Sequence, residues 1–182
     1  MVQGHFPGHD SDSYLAECIA PLAGQVVESM DKHGRVELAV TENWREALRL
    51  CIACCNDSDV DKTLLAILTP LEGEQSEKIQ RPRAILALQC LADEPNVSYD
   101  VAMQVISAYI NILVVEDYDS IRKTIAYKAA KELAVSDWQQ SLIELLIAEF
   151  MRIDGESRTE LGRFIGLIIE LQLSEDDCVS RQ

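Results

Sequence analysis

The sequence predicts an all-α fold of seven to nine helices stacked as antiparallel hairpins, either an α-solenoid-like array or an irregular helical bundle. Three observations predict it. The 182 residues include only five prolines and eight glycines, and Ala, Leu, Ile and Glu dominate the middle of the chain, a composition that favours helix. Apolar residues recur every three or four positions, which gives each segment one apolar stripe. The links between segments are short, and short links force neighbouring helices to pack antiparallel.

In chain order, residues 1–12 read as a flexible leader, 13–173 as a single helical domain and 174–182 as an acidic flexible tail. Ser13 can cap a first helix to about Asp31, with Ile19, Val26, Val27 and Met30 inward and Pro21 as a kink or a late start. Lys32-His33-Gly34 is a stop, and Val36 to Val40, although weakly alternating, has no evident pairing partner and reads as a connector. A second helix runs from Thr41 through Trp44 to Cys55, and a third from about Val60 to Leu71. The polar stretch Glu72 to Gln80 reads as a loop, and a fourth helix starts with Pro82 in its first turn and ends at Asp93-Glu94-Pro95-Asn96. Ser98 caps the fifth, to Val115, and the sixth spans about Tyr118 to Val135.

The last two helices form the most hydrophobic hairpin, Ser136 to Leu173, turning at Asp154-Gly155. Ser136 with Gln139 and Ser157 with Glu160 have capping-box spacing. Leu161, Phe164, Ile165, Ile168 and Ile169 leave the eighth helix apolar nearly all round, so they are expected either inside the core or in a homodimer seam through the C-terminal helix. It is too short, and too interrupted by Arg163 and Glu170, to cross a membrane.

Charge excludes some partners. Sixteen basic against thirty-one acidic side chains give −15, a field that repels nucleic-acid phosphate and anionic membrane. Solubility is the ordinary use of such a charge, and a protein partner with a basic surface is the functional one. The six cysteines, Cys18, Cys51, Cys54, Cys55, Cys90 and Cys178, mostly lie within apolar helical patterns. They read as reduced core residues of a cytoplasmic protein. No secretory signal is visible at the N-terminus.

The segment Asp119-Ser120-Ile121-Arg122, followed by Ala126, Ala129, Ala130 and Leu133, resembles the second helix of a HEAT repeat. In that family an Asp precedes an aliphatic-Arg pair, and small residues let the helix pack closely. The resemblance covers residues 98–135 and implies a protein-binding helical array. Arg83 to Leu91 is similar in texture but lacks the Asp and the aliphatic-Arg pair. Asp154-Gly155 with Glu160 is similar to the hairpin of TerB-type helical domains, whose acidic residues have been linked to metal. Any helical hairpin can use such a turn, so that role is not carried over.

Signals for chemistry are sparse. Cys51, Cys54 and Cys55 can share a helix face, but a closed zinc site needs four ligands, and small buried hydrophobes are the simpler reading. The only histidines, His5, His9 and His33, lie in leader or loop positions, and no nucleophile elbow, phosphate loop or dinucleotide fingerprint occurs. No cofactor, metal site or catalytic residue is expected.

The function expected is a non-enzymatic, acidic protein–protein interaction module, an adaptor or regulatory subunit. Its candidate partner-binding residues are Tyr109, Tyr118, Tyr127, Phe164 and Ile168. Trp44 and Trp138 read first as core anchors. The alternatives are an inhibitor or immunity-type protein that blocks a basic active site or mimics nucleic acid, and a metal-dependent helical enzyme.

Overall fold

The core is built around a helical run with almost no polar face. In the computed structural model, which describes residues 11–23, 26–31, 34–39, 45–70, 76–93, 95–115, 125–155, 158–159, 161–162, 164–166 and 169, every residue from Pro82 to Leu91 is buried. That run belongs to α4, Ser76–Ala92. Its neighbours are α1 (Ser11–Ala23), α2 (Arg45–Ala53), α3 (Asp57–Leu68), α5 (Tyr99–Val115) and α6 (Ile125–Leu133), all of which pack against it. The last numbered helix, α7 (Gln139–Arg152), packs on α5, and the described residues between 158 and 169 are also helical.

A helix surrounded on all sides cannot carry an amphipathic stripe, and Ala84, Leu86, Ala87, Leu88 and Leu91 cover its circumference. The buried cation of that run, Arg83, donates from Nη1 to the Ile67 carbonyl at 2.9 Å. Ile67 lies in the last turn of α3, where carbonyls lack helical donors and the dipole is negative, so a guanidinium suits it. The helix starts at Ser76, within the stretch expected to be a loop, and Pro82 sits inside it rather than at its start.

One element is not helical. Val26–Asp31 (β1) pairs antiparallel with Gly34–Ala39 (β2), in a register that sets Val26 opposite Ala39 and Asp31 opposite Gly34. The described chain is otherwise helical, as the all-α expectation has it; here α1 ends at Ala23 rather than running on to about Asp31, and the Val36 segment is a strand rather than a connector. Glycine is the residue type that commonly follows a helix end, and Gly24, next in sequence after Ala23, is a signal that apolar spacing alone runs past. The valines beyond it favour strand once a partner supplies the ladder.

Several junctions follow their local signals. Ser98 immediately precedes α5, its carbonyl accepting from Ala102 N at 3.0 Å and its own N–H donating to Asp61 Oδ1 of α3 at 2.8 Å. Beyond α7, Gly155 takes the left-handed conformation (φ 75°) expected of a turn glycine. The chain then returns so closely that a Cβ on Gly162 would sit 3.0 Å from Phe150 Cε2. The Arg158 guanidinium lies 4.7 Å above the Phe150 ring. The Ser136 capping box is displaced: α7 opens at Gln139, and the Ser136 hydroxyl donates to the Leu133 carbonyl at 2.8 Å.

Ser11 and Asp12, placed in the expected leader, open α1; the rest of the leader and the whole 174–182 tail lie outside the described residues. So does Asp119-Ser120-Ile121-Arg122, the part that carries the HEAT resemblance, and α6 is described only from Ile125. Among the described residues no helix is long and apolar enough to cross a membrane.

Candidate functional site

Two helix starts meet at one surface. Because Asp61 of α3 holds the Ser98 N–H, the first helical residue of α5, Tyr99, is carried just beyond the buried run that begins at Val101, and 62% of it is exposed. The start of α7 is fixed by a tight turn. Ala134 N donates to Ala130 O, Ser136 N to Leu133 O and Gln139 N to Ser136 O, all within 3.1 Å, while Trp138 N donates to the Ser136 hydroxyl at 3.2 Å. The Trp138 ring is thereby brought beside Tyr99, with centroids 6.4 Å apart and planes inclined by 36°. Val135, three residues earlier in the same turn, is 58% exposed.

Asp100 and Asp137 flank the ring pair in sequence and are exposed. Aromatic anchors beside an aliphatic residue, with carboxylates at the edge, have the make-up of a small interface core and its polar rim. A basic side chain could reach a carboxylate and a ring face there at once.

The residues expected to bind a partner lie elsewhere. Tyr109 is wholly buried, its hydroxyl donating to the Ala126 carbonyl at 2.7 Å, so it joins α5 to α6 and offers no surface. Phe164 is 2% exposed and meets half-buried Tyr127 edge-on at 6.5 Å. That pair fastens the terminal helical residues to α6. Leu161 is also buried, so the core takes most of the face expected as a homodimer seam, leaving Ile169 partly exposed. Tyr118 and Ile168 lie outside the described residues. Tyr99 was legible in sequence only as a large aromatic one residue past a helix cap.

The most tightly organised charges form a junction rather than a cleft. Arg49 of α2, its side chain 14% exposed, grips Asp93 beyond the end of α4 through Nε (2.7 Å) and Nη2 (2.6 Å). Its Nη1 lies 3.1 Å from Glu132 of α6. The hydrogen bond to Asp93 raises the guanidinium's pKa most, burial opposes it, and the charges of Asp93, Glu132 and Glu46 add to it. Arg49 is thus a cation that ties α2 to α4 and α6. Cys90, buried beside it, has its thiol pushed up by burial and then by the Asp93 charge, which leaves it inert.

The cysteines correct another expectation. Cys51 and Cys54 are exposed, Cys55 is half-buried, and Cys18 is exposed, so only Cys90 is a core thiol among those described. Among the described residues no group of three or more His, Cys, Asp or Glu is placed to hold a metal ion. All three histidines lie outside them.

An open groove of about 420 Å³ runs along α5 between Leu68, Met103, Gln104, Ser107, Ala108 and Asn111. Among the described residues no titratable side chain lines it, so the Ser107 hydroxyl has no acid or base beside it there. Comparison with protein-family models, with curated proteins and with solved structures found no match to this chain.

Proposed function

We propose that this chain is a non-enzymatic interaction module, an adaptor or regulatory subunit, that takes a basic segment of another protein at Tyr99, Val135 and Trp138. The observation that carries the reading is the exposed Tyr99 ring set beside Trp138, which is half-buried and anchored on the core, with exposed Asp100 and Asp137 next to them in sequence. Rigid aromatics lose little entropy on binding and serve as anchors, whereas the net charge of −15 steers a cationic partner and favours its encounter rate. The packing of five helices around α4 supports an irregular bundle over a solenoid, because repeats in an array contact only their neighbours. Free cysteines support a reducing, cytoplasmic-type compartment.

The test maps binding on isotopically labelled protein by amide NMR, using a synthetic peptide of alternating arginine and leucine, with a glutamate-leucine peptide as control. Shifts should centre on residues 99–100 and 135–138, weaken at high salt, and vanish from that surface in Tyr99→Ala, whose exposed ring can be removed without opening the core. Shifts spread over the acidic surface, or unchanged in the variant, would sink the assignment.

A further inference from the structure

Helix α2 ends in three free thiols, Cys51 in its last turn and Cys54 and Cys55 just beyond Ala53. We infer that Cys51 and Cys54 form a redox-active dithiol that a small-molecule disulfide of the glutathione class closes into an intramolecular disulfide.

Geometry selects this pair. Adjacent Cys54 and Cys55 are one peptide apart, with Cα atoms about 3.8 Å from each other, below the roughly 4.4–6.8 Å that a disulfide spans. Cys51 is therefore one member. Helical neighbours at i and i+3 face the same way with Cβ atoms about 5–6 Å apart, and a disulfide needs about 3.5–4.5 Å. Inside a helix that approach would break the backbone ladder. Here it falls on a turn that is already leaving the helix: Cys54 N still donates to Leu50 O (3.1 Å), but Cys55 N has tightened to Ile52 O, three residues back (3.1 Å). That tightening falls on Ile52 and Cys55, whereas Cys51 and Cys54 keep α-helical spacing. Cys54 lies beyond Ala53, so closing the disulfide has to release the Cys54 N–Leu50 O bond at the helix end and none of the bonds inside α2.

Exposure and hydrogen bonding distinguish Cys54 from Cys55. Both Cys51 and Cys54 are open to a reagent, whereas half-buried Cys55 donates its S–H to the Cys51 carbonyl at 3.0 Å. Burial, then the charge of Asp59, also push the Cys55 thiol up and keep it protonated.

The exchange balances. The Cys54 thiolate attacks one sulfur of the small disulfide, forming a mixed disulfide and releasing one small thiolate. The Cys51 thiolate then attacks Cys54 Sγ, forming the protein disulfide and releasing the second. Two protein thiols are oxidised, one small disulfide is reduced to two thiols, and the two cysteine protons end on them. A thiol pool reverses the sequence, as suits a transient disulfide in a reducing compartment.

The test treats the full chain with oxidised glutathione, counts remaining thiols in denaturant and weighs the peptide 50–62, which carries all three cysteines. Wild type should lose two thiols with no glutathione left attached. Cys51→Ser should stop as a glutathione adduct, whereas Cys55→Ser and Cys18→Ser should close as wild type does. Closure lost in Cys55→Ser, or wild type ending as glutathione adducts, would overturn the assignment.

Discussion

Replacing Tyr109 with Phe and with Ala measures whether this ring is a joint of the core. The side chain is fully buried in α5 and donates one hydrogen bond of 2.7 Å to Ala126 O in the first turn of α6. Tyr109→Phe removes that bond and keeps the ring. Its net cost should be about 1 kcal/mol, because the orphaned carbonyl can still accept the helical donor four residues on. Tyr109→Ala also empties the ring's volume, and large aromatic truncations in cores cost about 3–5 kcal/mol. In urea melts the two variants should therefore fall about 1 and about 4 kcal/mol below wild type at equal slope. For a chain of this size each kcal/mol lowers Tm by about 2–4 °C, giving an independent check. A Tyr109→Ala variant within about 1 kcal/mol of wild type would refute the burial and restore this tyrosine to the surface.

Two further outcomes follow from the ion pairs. Arg49→Met keeps the apolar stem but leaves Asp93 and Glu132 without their shared cation. It should cost about 2 kcal/mol, between an exposed pair and a fully buried one. A double-mutant cycle with Asp93→Asn should show coupling of about 1–2 kcal/mol, and near-zero coupling would remove the junction role. Glu149 accepts two bonds from Arg152, at 2.8 and 2.6 Å, and chiefly through them its carboxyl is held below its ordinary value. A carboxylate depressed in the fold stabilises above its unfolded pKa, about 4.3, and that contribution is lost as pH falls through the folded value. Arg152→Gln should raise the Glu149 midpoint in a carboxyl NMR titration, and an unmoved midpoint would show the pair to be open in solution.

What the sequence determined by itself was local. Helix formation depends on hydrogen bonds four residues apart and on turn residues, so Ser98 before α5, Gly155 after α7 and the apolar stripes of α3 and α5 could be read directly. Pairing and burial depend on groups distant in the chain. Val26 and Val27 fit a helical stripe as well as a strand, and only the ladder to Leu38 and Ala39 decides between them. The same limit hid the role of the 82–91 run of α4, whose lack of a polar face became meaningful only when five helices packed on α4. An aromatic residue carries the same sequence signal inside or outside. Tyr109 was drawn inward by the Ala126 carbonyl, and Tyr99 was carried outward by the cap at Ser98. The cysteines of α2 lie on an apolar pattern, yet α4 takes only one side of that short helix, so Ile52 went into the core while Cys51 and Cys54 were left facing water. Tertiary packing chose among faces that the sequence had made equally apolar, because burial is decided by which surfaces find a neighbour.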